Sequence, residues 1–220
     1  MLKLIAYNRN PNIGVFAVSN DNLAVLPVNC SNNFFSILKA SLDVEVVKIN
    51  ILGTRLIGVM SVLNNKGILI SKYASETEIQ ALKSAGLSVY IINDKHTALG
   101  NLILSNDRAA IISELLSKRT ARSIEDFLDC EVVSRNIGGF KTVGSVGVAT
   151  NQGALIHPLV KEDDLEWIAD ILHVEVEIGT INRGVGFIKT GLIVNKNGAL
   201  IGDVTTGPEI VRIEDSLGYL

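Results

Sequence analysis

The sequence predicts an α/β fold of five pseudo-symmetric repeats, each of roughly 44 residues, closed into a ring by the N-terminal strand. Three observations predict it. Turn-forming clusters recur at Asn20-Asp21-Asn22-Leu23, Asn64-Asn65-Lys66-Gly67, Asn106-Asp107-Arg108-Ala109, Thr150-Asn151-Gln152-Gly153 and Asn195-Lys196-Asn197-Gly198, and their first residues stand 44, 42, 44 and 45 positions apart. A short apolar run precedes and follows each cluster, as in Val15-Phe16-Ala17-Val18, Val59-Met60-Ser61-Val62, Ala154-Leu155-Ile156 and Ala199-Leu200-Ile201. The last unit lacks one strand, and residues 2–7 supply one at the other end of the chain.

Each unit reads as strand, turn, strand, helix, strand. Two apolar runs joined by Asn and Gly make a hairpin, because those residues tolerate the positive φ of tight turns. In the first unit Phe35, Leu38 and Leu42 follow at helical spacing. In the second, Ser75 and Glu78 form a capping-box pattern, Ile79, Leu82 and Ala85 make the apolar stripe, and Gly86 is the stop. In the third, Ile124, Phe127 and Leu128 mark a shorter helix after Ser123. In the fourth, Leu165, Ile168, Ala169 and Leu172 form the stripe, with Glu162, Asp163 and Asp164 near the positive N-terminal end. β-rich stretches follow at 44–51, 87–93, 131–137 and 174–181, and the alternation Val174-Glu175-Val176-Glu177-Ile178 is the clearest strand pattern of the chain. The fifth unit ends after a helical segment at 208–217, so the N-terminal strand must complete it. An open stack would leave exposed edges and need caps, whereas a closed ring needs neither. The expectation is one domain, residues 1–220, and a monomer, since the ring closes within a single chain.

Composition bounds the function. At 220 residues, 47% apolar and 20% charged, the chain can bury a sizeable and mainly aliphatic core. A net charge of −3 speaks against affinity that comes from bulk neutralisation of phosphates. Two cysteines far apart, Cys30 and Cys130, make neither a disulfide framework nor a zinc knuckle. The opening residues are too short an apolar stretch for a signal peptide, and Arg55 and Lys189 interrupt the best apolar runs, so a soluble cytoplasmic protein is expected. No metal, nucleotide or other cofactor is implied. Gly138-Gly139-Phe140-Lys141-Thr142 lacks the first glycine of a P-loop, and Gly184-Val185-Gly186 lacks the third glycine of a dinucleotide fingerprint.

Several stretches, in order, resemble the archaeal and eukaryotic translation initiation factor 6 family, whose fold is the pentein propeller. They are Asn12-Ile13-Gly14, Ala98-Leu99-Gly100-Asn101, Thr142-Val143-Gly144-Ser145, Thr150-Asn151-Gln152-Gly153 with His157-Pro158, Thr180-Ile181-Asn182-Arg183-Gly184 and Asp203-Val204-Thr205-Thr206-Gly207-Pro208-Glu209. The resemblance implies a factor that binds the large (50S) ribosomal subunit on its intersubunit face and prevents association with the small (30S) subunit, with a role in large-subunit maturation. It implies contact with ribosomal protein L14 principally, near ribosomal protein L3 and the sarcin–ricin loop of the large rRNA. The alternative is a pentein-fold arginine-modifying enzyme, which would need an activated Cys–His pair. Its candidates are Cys30, Cys130, His157 and His173. Each has a structural reading: small apolar cysteines, a turn or surface histidine at His157, and a helix-terminal cation at His173.

The inter-unit junctions of a closed ring gather at one end of its axis. The ribosome-binding residues expected there are Asn8, Asn10, Gly14, Arg55, Gly58, Val59, Gly100, Asn101, Gly144, Ser145, Asn182, Arg183 and Lys189. The glycines allow close backbone approach, and Asn offers donors and acceptors. Asn101 stands out, because Val15 and Val59 hold the same place in the first two units. The densest basic run, Lys118-Arg119 with Arg122, reads as a solvated face, and Glu162-Asp163-Asp164 as helix N-terminal charge placement.

Overall fold

The computed structural model describes residues 2–219. Five three-stranded sheets form, one per unit. In the first unit the strands are Val18–Ser19, Leu23–Leu26 and Glu45–Lys48; the first two are antiparallel, and the third returns parallel to the second. The second unit repeats this with Val62–Asn64, Gly67–Ser71 and Val89–Ile92, the third with Ile103–Ser105, Ala109–Ile112 and Glu131–Ser134. The fourth uses Gly147–Ala149, Gly153–Ile156 and Glu175–Ile178. In the fifth, Leu192–Asn195 and Gly198–Gly202 are completed by Leu2–Ile5, which pairs parallel with residues 199–202. The N-terminal strand therefore closes the ring, and the arrangement is the five-bladed propeller that the repeats imply.

Parallel return requires a crossover, and a helix supplies it in the first four units; the fifth helix follows its hairpin in the same way, although the parallel strand there is N-terminal. The helices are Asn32–Leu42, Glu76–Ser84, Lys118–Leu128, Glu162–Leu172 and Gly207–Ser216. Ser75 and Glu78 form the expected capping box. The third helix is longer than its apolar pattern indicates. It starts at Lys118 behind the N-cap Ser117, so the basic run is its exposed first turn, where neither charge adds to the stripe. Each sheet and its helix enclose an aliphatic cluster; in the second unit Ile68, Ile70, Ile79 and Leu82 meet Val25 and Ile57 of the neighbouring segments. The middle strands are buried along their whole length, which is why they read as unbroken apolar runs.

The first strand of each sheet lies innermost, and the hairpin turns meet at one end of the axis. There Asn20, Asn64, Asn106 and Asn195 each do two things. Their Oδ1 atoms accept backbone N–H groups two and three residues on, which forms the turn. Their Nδ2 groups donate to the next unit: Asn20 to Asn64 O at 2.9 Å, Asn64 to Asn106 O at 3.0 Å, Asn106 to Thr150 O at 3.2 Å and Asn195 to Asn20 O at 3.1 Å. Thr150 makes the same turn through Oγ1 but has no amide to reach Asn195. The Tyr219 hydroxyl fills that gap, donating toward Asn195 O at 2.6 Å and Gly198 O at 2.9 Å.

Tyr219→Phe should therefore lower stability by about 1–2 kcal/mol, the worth of a part-buried hydrogen bond. Thr150→Asn in that background should restore much of the loss by supplying the missing carboxamide. Urea unfolding of the two single variants and the double variant measures the coupling, and strict additivity would refute the ring-closing role of Tyr219.

Candidate functional site

At the other end of the axis the chain leaves each third strand, makes a turn, and passes the centre before entering the next unit. Gly14, Gly58, Gly100 and Gly144 occupy the central position of the first four units. A methyl group at Gly58 would overlap the Gly14 carbonyl oxygen, one at Gly100 the Gly58 oxygen, and one at Gly144 the Gly100 oxygen. These glycines are thus packing requirements of the axis, with backbone stacked on backbone. Lys189 takes the same place in the fifth unit, and its Nζ donates to Gly100 O at 2.7 Å. Burial pushes the Lys189 ammonium down to about 8. One residue further on stand Val15, Val59, Asn101, Ser145 and Thr190, which line a small depression with Gly14, Gly58 and Lys189. Behind it an axial cavity of about 100 Å³ runs between the inner strands, bounded by Lys189, Val62, Leu104 and Val148 among others.

The expected residues thus divide into groups. Gly14, Gly58, Val59, Asn101, Ser145 and Lys189 come together at the depression, with Gly100 and Gly144 directly beneath in the stack. Asn8, Asn10, Arg55, Asn182 and Arg183 lie further out, in the turns. Residues 7–10 form a tight turn with Asn8 and Arg9 both at positive φ, and Asn182 and Arg183 repeat those φ values in a turn one residue longer, which Gly184 completes. Their side chains differ in role. Asn182 is buried and binds Pro11 O and Thr205 Oγ1, tying the fifth unit to the first, while Asn8, Arg55 and Arg183 are exposed.

Two carboxylates hold these turns. Burial alone would raise Glu209, but backbone N–H groups of Thr206 and Gly184 and the hydroxyls of Thr180 and Thr206 bring it down to about 2. Glu209 also accepts the Arg183 N–H at 3.2 Å, which presents that arginine outward. Asp94, likewise buried, is held well below the usual carboxylate range by the His96 and Ser117 N–H groups, the Thr120 hydroxyl and the His96 ring.

Residue-by-residue reading missed a charge pattern that aligning the five units would have revealed. Arg9, Arg55, Lys95, Lys141 and Arg183 stand one per unit in the turns around this end of the axis, and all five are exposed. Among the described residues none of them makes an ion pair. Outside this circle, Val28, Tyr73, Leu115, Leu159 and Val204 are exposed apolar residues just before the helix N-termini. The opposite end, by contrast, carries charges of both signs, Asp21, Asp43, Asp107 and Asp129 with Lys66, Arg108 and Lys196.

The thiols are not prepared for nucleophilic attack. Burial raises Cys30, and burial raises Cys130 to about 11. His157 is not the surface residue its position beside Pro158 indicates. It is 8% exposed, its ring packs on Phe140 and Phe187, and its Nδ1 accepts the Leu159 N–H at 3.1 Å. Burial lowers its pKa, and Gly186 leaves the space for the ring. Among the described residues no group of three or more His, Cys, Asp or Glu could hold a metal, and no helix is long and apolar enough to cross a membrane.

A family model described as the eIF-6 family matches residues 2–216. A relative from Methanococcus maripaludis named Translation initiation factor 6 is 40% identical, covering 94% of each chain. Its namesake from Methanocaldococcus jannaschii is 39% identical over 96% of this chain and 95% of its own. That from Pyrococcus horikoshii is 36% identical over 100% of this chain and 99% of its own. Among solved structures, DDAH from Pseudomonas aeruginosa complexed with citrulline overlaps with a TM-score of 0.49 at 13% identity, covering 76% of this chain and 68% of that one. That overlap is too loose to bear on chemistry.

Glu209 gives the site a defined acid response. Its folded pKa lies below the unfolded value of 4.5, so its stabilising contribution is present above that pH and is lost as pH falls toward 2. Glu209→Gln should cost roughly 2–4 kcal/mol at pH 7. The difference from the parent should shrink between pH 5 and pH 2, as read by urea midpoints across that range.

Proposed function

The chain belongs to the eIF-6 family, and from that premise we propose that it binds the large ribosomal subunit through the glycine-lined end of its axis and so excludes the small subunit. The family and its curated relatives give the coarser role, that of a translation initiation factor.

One observation carries it: the circle of exposed cations, unpaired among the described residues, formed by Arg9, Arg55, Lys95, Lys141 and Arg183. The net charge of the chain is −3, so this basic face is made by position and not by composition. A ribosomal subunit is a particle rich in RNA phosphate, and a basic face turned toward it speeds and orients encounter. The exposed Val28, Tyr73, Leu115, Leu159 and Val204 outside the cations offer apolar contact to ribosomal protein surface. The protein partners in this reading are ribosomal protein L14 principally and ribosomal protein L3 nearby, with the sarcin–ricin loop as the RNA neighbour. The rigid turns require no folding on contact, and the whole ring acts as a wedge on the intersubunit face.

Exclusion of the small subunit needs no chemistry. A ligand that binds the free large subunit and not the joined ribosome shifts the equilibrium toward free subunits by its differential affinity. The same occupancy keeps an immature large subunit out of initiation. The protein acts as a soluble cytoplasmic monomer without cofactor, and not as an enzyme. The raised thiols and the buried His157, packed against Phe140 and Phe187, support that reading over arginine chemistry.

Added protein should move sedimentation of ribosomes from joined particles to free subunits without nucleotide. Arg9→Glu, Arg55→Glu and Arg183→Glu together should weaken co-sedimentation with purified large subunits more than tenfold, with circular dichroism unchanged. Asn101→Ala should weaken it about 5- to 150-fold, corresponding to a lost contact of roughly 1–3 kcal/mol. Lys66→Glu with Lys196→Glu, at the opposite end, should leave it near the parent value. Loss of binding with the opposite-end pair alone would overturn the choice of face.

A further inference from the structure

The fifth unit departs from the rule of the other four at the axis. Where they have Gly14, Gly58, Gly100 and Gly144, it has Lys189, a side chain carried into a position that otherwise holds none. That side chain spans from the fifth unit to the third, where Nζ meets Gly100 O at 2.7 Å. Among the described residues this is the only hydrogen bond the ammonium makes, and no carboxylate pairs with it. Two of its three N–H donors therefore have no partner among the described residues. Burial lowers its pKa to about 8, and no neighbouring acid offsets that effect. A desolvated cation without a counter-ion is costly, and an arriving anion repays part of that cost.

Lys189 shares the axial depression with Asn101. The Asn101 carboxamide has no hydrogen-bond partner among the described residues, whereas its counterparts Ser145 and Thr190 donate to Thr142 O and Phe187 O and are occupied. Val15 and Val59 form apolar walls, and the glycine backbones leave the centre open. The depression is shallow and open to solvent, with room for about one water-sized atom at its floor. One oxygen at the tip of an anion fits there. The surrounding circle of cations favours phosphate over an isolated carboxylate, because a polyphosphate strand satisfies the centre and the circle together.

We propose that the depression is a socket for one phosphate oxygen, with the Lys189 ammonium and the Asn101 carboxamide as its donors. On the docking reading above, the phosphate comes from RNA of the partner particle; in the free protein inorganic phosphate takes the same place. The socket deepens that reading by naming the group that seats at the centre of the face.

The test has two arms, so that the socket and the docking reading can fail separately. In the first, protein with isotope-labelled lysine side chains is titrated with inorganic phosphate, and the Lys189 resonance is assigned by its loss in Lys189→Met. A saturable shift of that resonance with phosphate, absent with sodium chloride at equal ionic strength and weakened at least tenfold by Asn101→Ala, is expected. No saturable shift up to tens of millimolar phosphate overturns the socket. In the second arm, binding to purified large subunits is measured against salt. Lys189→Met, and Lys189→Gly as the residue of the other four units, should bind roughly ten- to hundredfold more weakly. The slope of log affinity on log salt should fall by about one. Parent-like affinity and slope overturn the RNA source. Weaker binding with an unchanged slope assigns the seated group to a protein carboxylate and likewise overturns it. If the parent itself does not bind, the docking reading fails, and the phosphate titration alone decides the socket.

Discussion

Four glycines stacked around an axis set the terms for the whole molecule. Five blades can close on one another only if their inner segments approach at backbone distance, and at Gly14, Gly58, Gly100 and Gly144 the space for a side chain is taken by a neighbouring carbonyl. The aliphatic clusters between blades supply most of the burial, but they are tolerant of detail in a way that this contact is not. At the other end of the axis the carboxamides of Asn20, Asn64, Asn106 and Asn195 perform the complementary task. They use one side-chain atom to bend their own hairpin and the other to hold the next unit.

The two ends differ in what they leave for a partner. At the hairpin end donors and acceptors are consumed by the ring itself: Asp21, Asn65, Asp107 and Asn151 bind one another's side chains and backbone. At the glycine end the turns leave one cation per unit without an ion-pair partner among the described residues, and the Asn101 carboxamide and two N–H donors of Lys189 likewise find no partner there. Structural demand at one end and available chemistry at the other give a nearly symmetric ring a functional polarity. Buried acids such as Asp94 and Glu209 stiffen the second end without adding charge to its surface, since their oxygens are turned inward to backbone N–H groups and hydroxyls.

Much of the fold was legible because its determinants are local and repeated. Turn clusters at near-constant spacing, apolar runs on either side, and one capping box define the unit. Where local signals were weak the reading fell short. The third helix begins at Lys118, earlier than its stripe, because the N-cap Ser117 and not an apolar residue marks the start. His157 follows a strand beside a proline, as a surface residue would, yet packs against Phe140 and Phe187 from other segments. The charge circle was equally hidden, since Arg9, Arg55, Lys95, Lys141 and Arg183 are far apart in the chain and sit in turns of unequal length.

By itself the sequence determined the unit, the number of units and the closing strand, because these follow from periodicity and from the pairing that every exposed strand edge requires. Only the tertiary structure decided which of several similar residues are spent on the fold and which remain free. Asn182 and Asn101 look alike as junction asparagines, yet the first is buried in bonds to Pro11 and Thr205 and the second faces an open depression. Likewise only the closed ring carries the side chain of Lys189 across to Gly100, because that meeting joins residues 89 positions apart through the geometry of the axis.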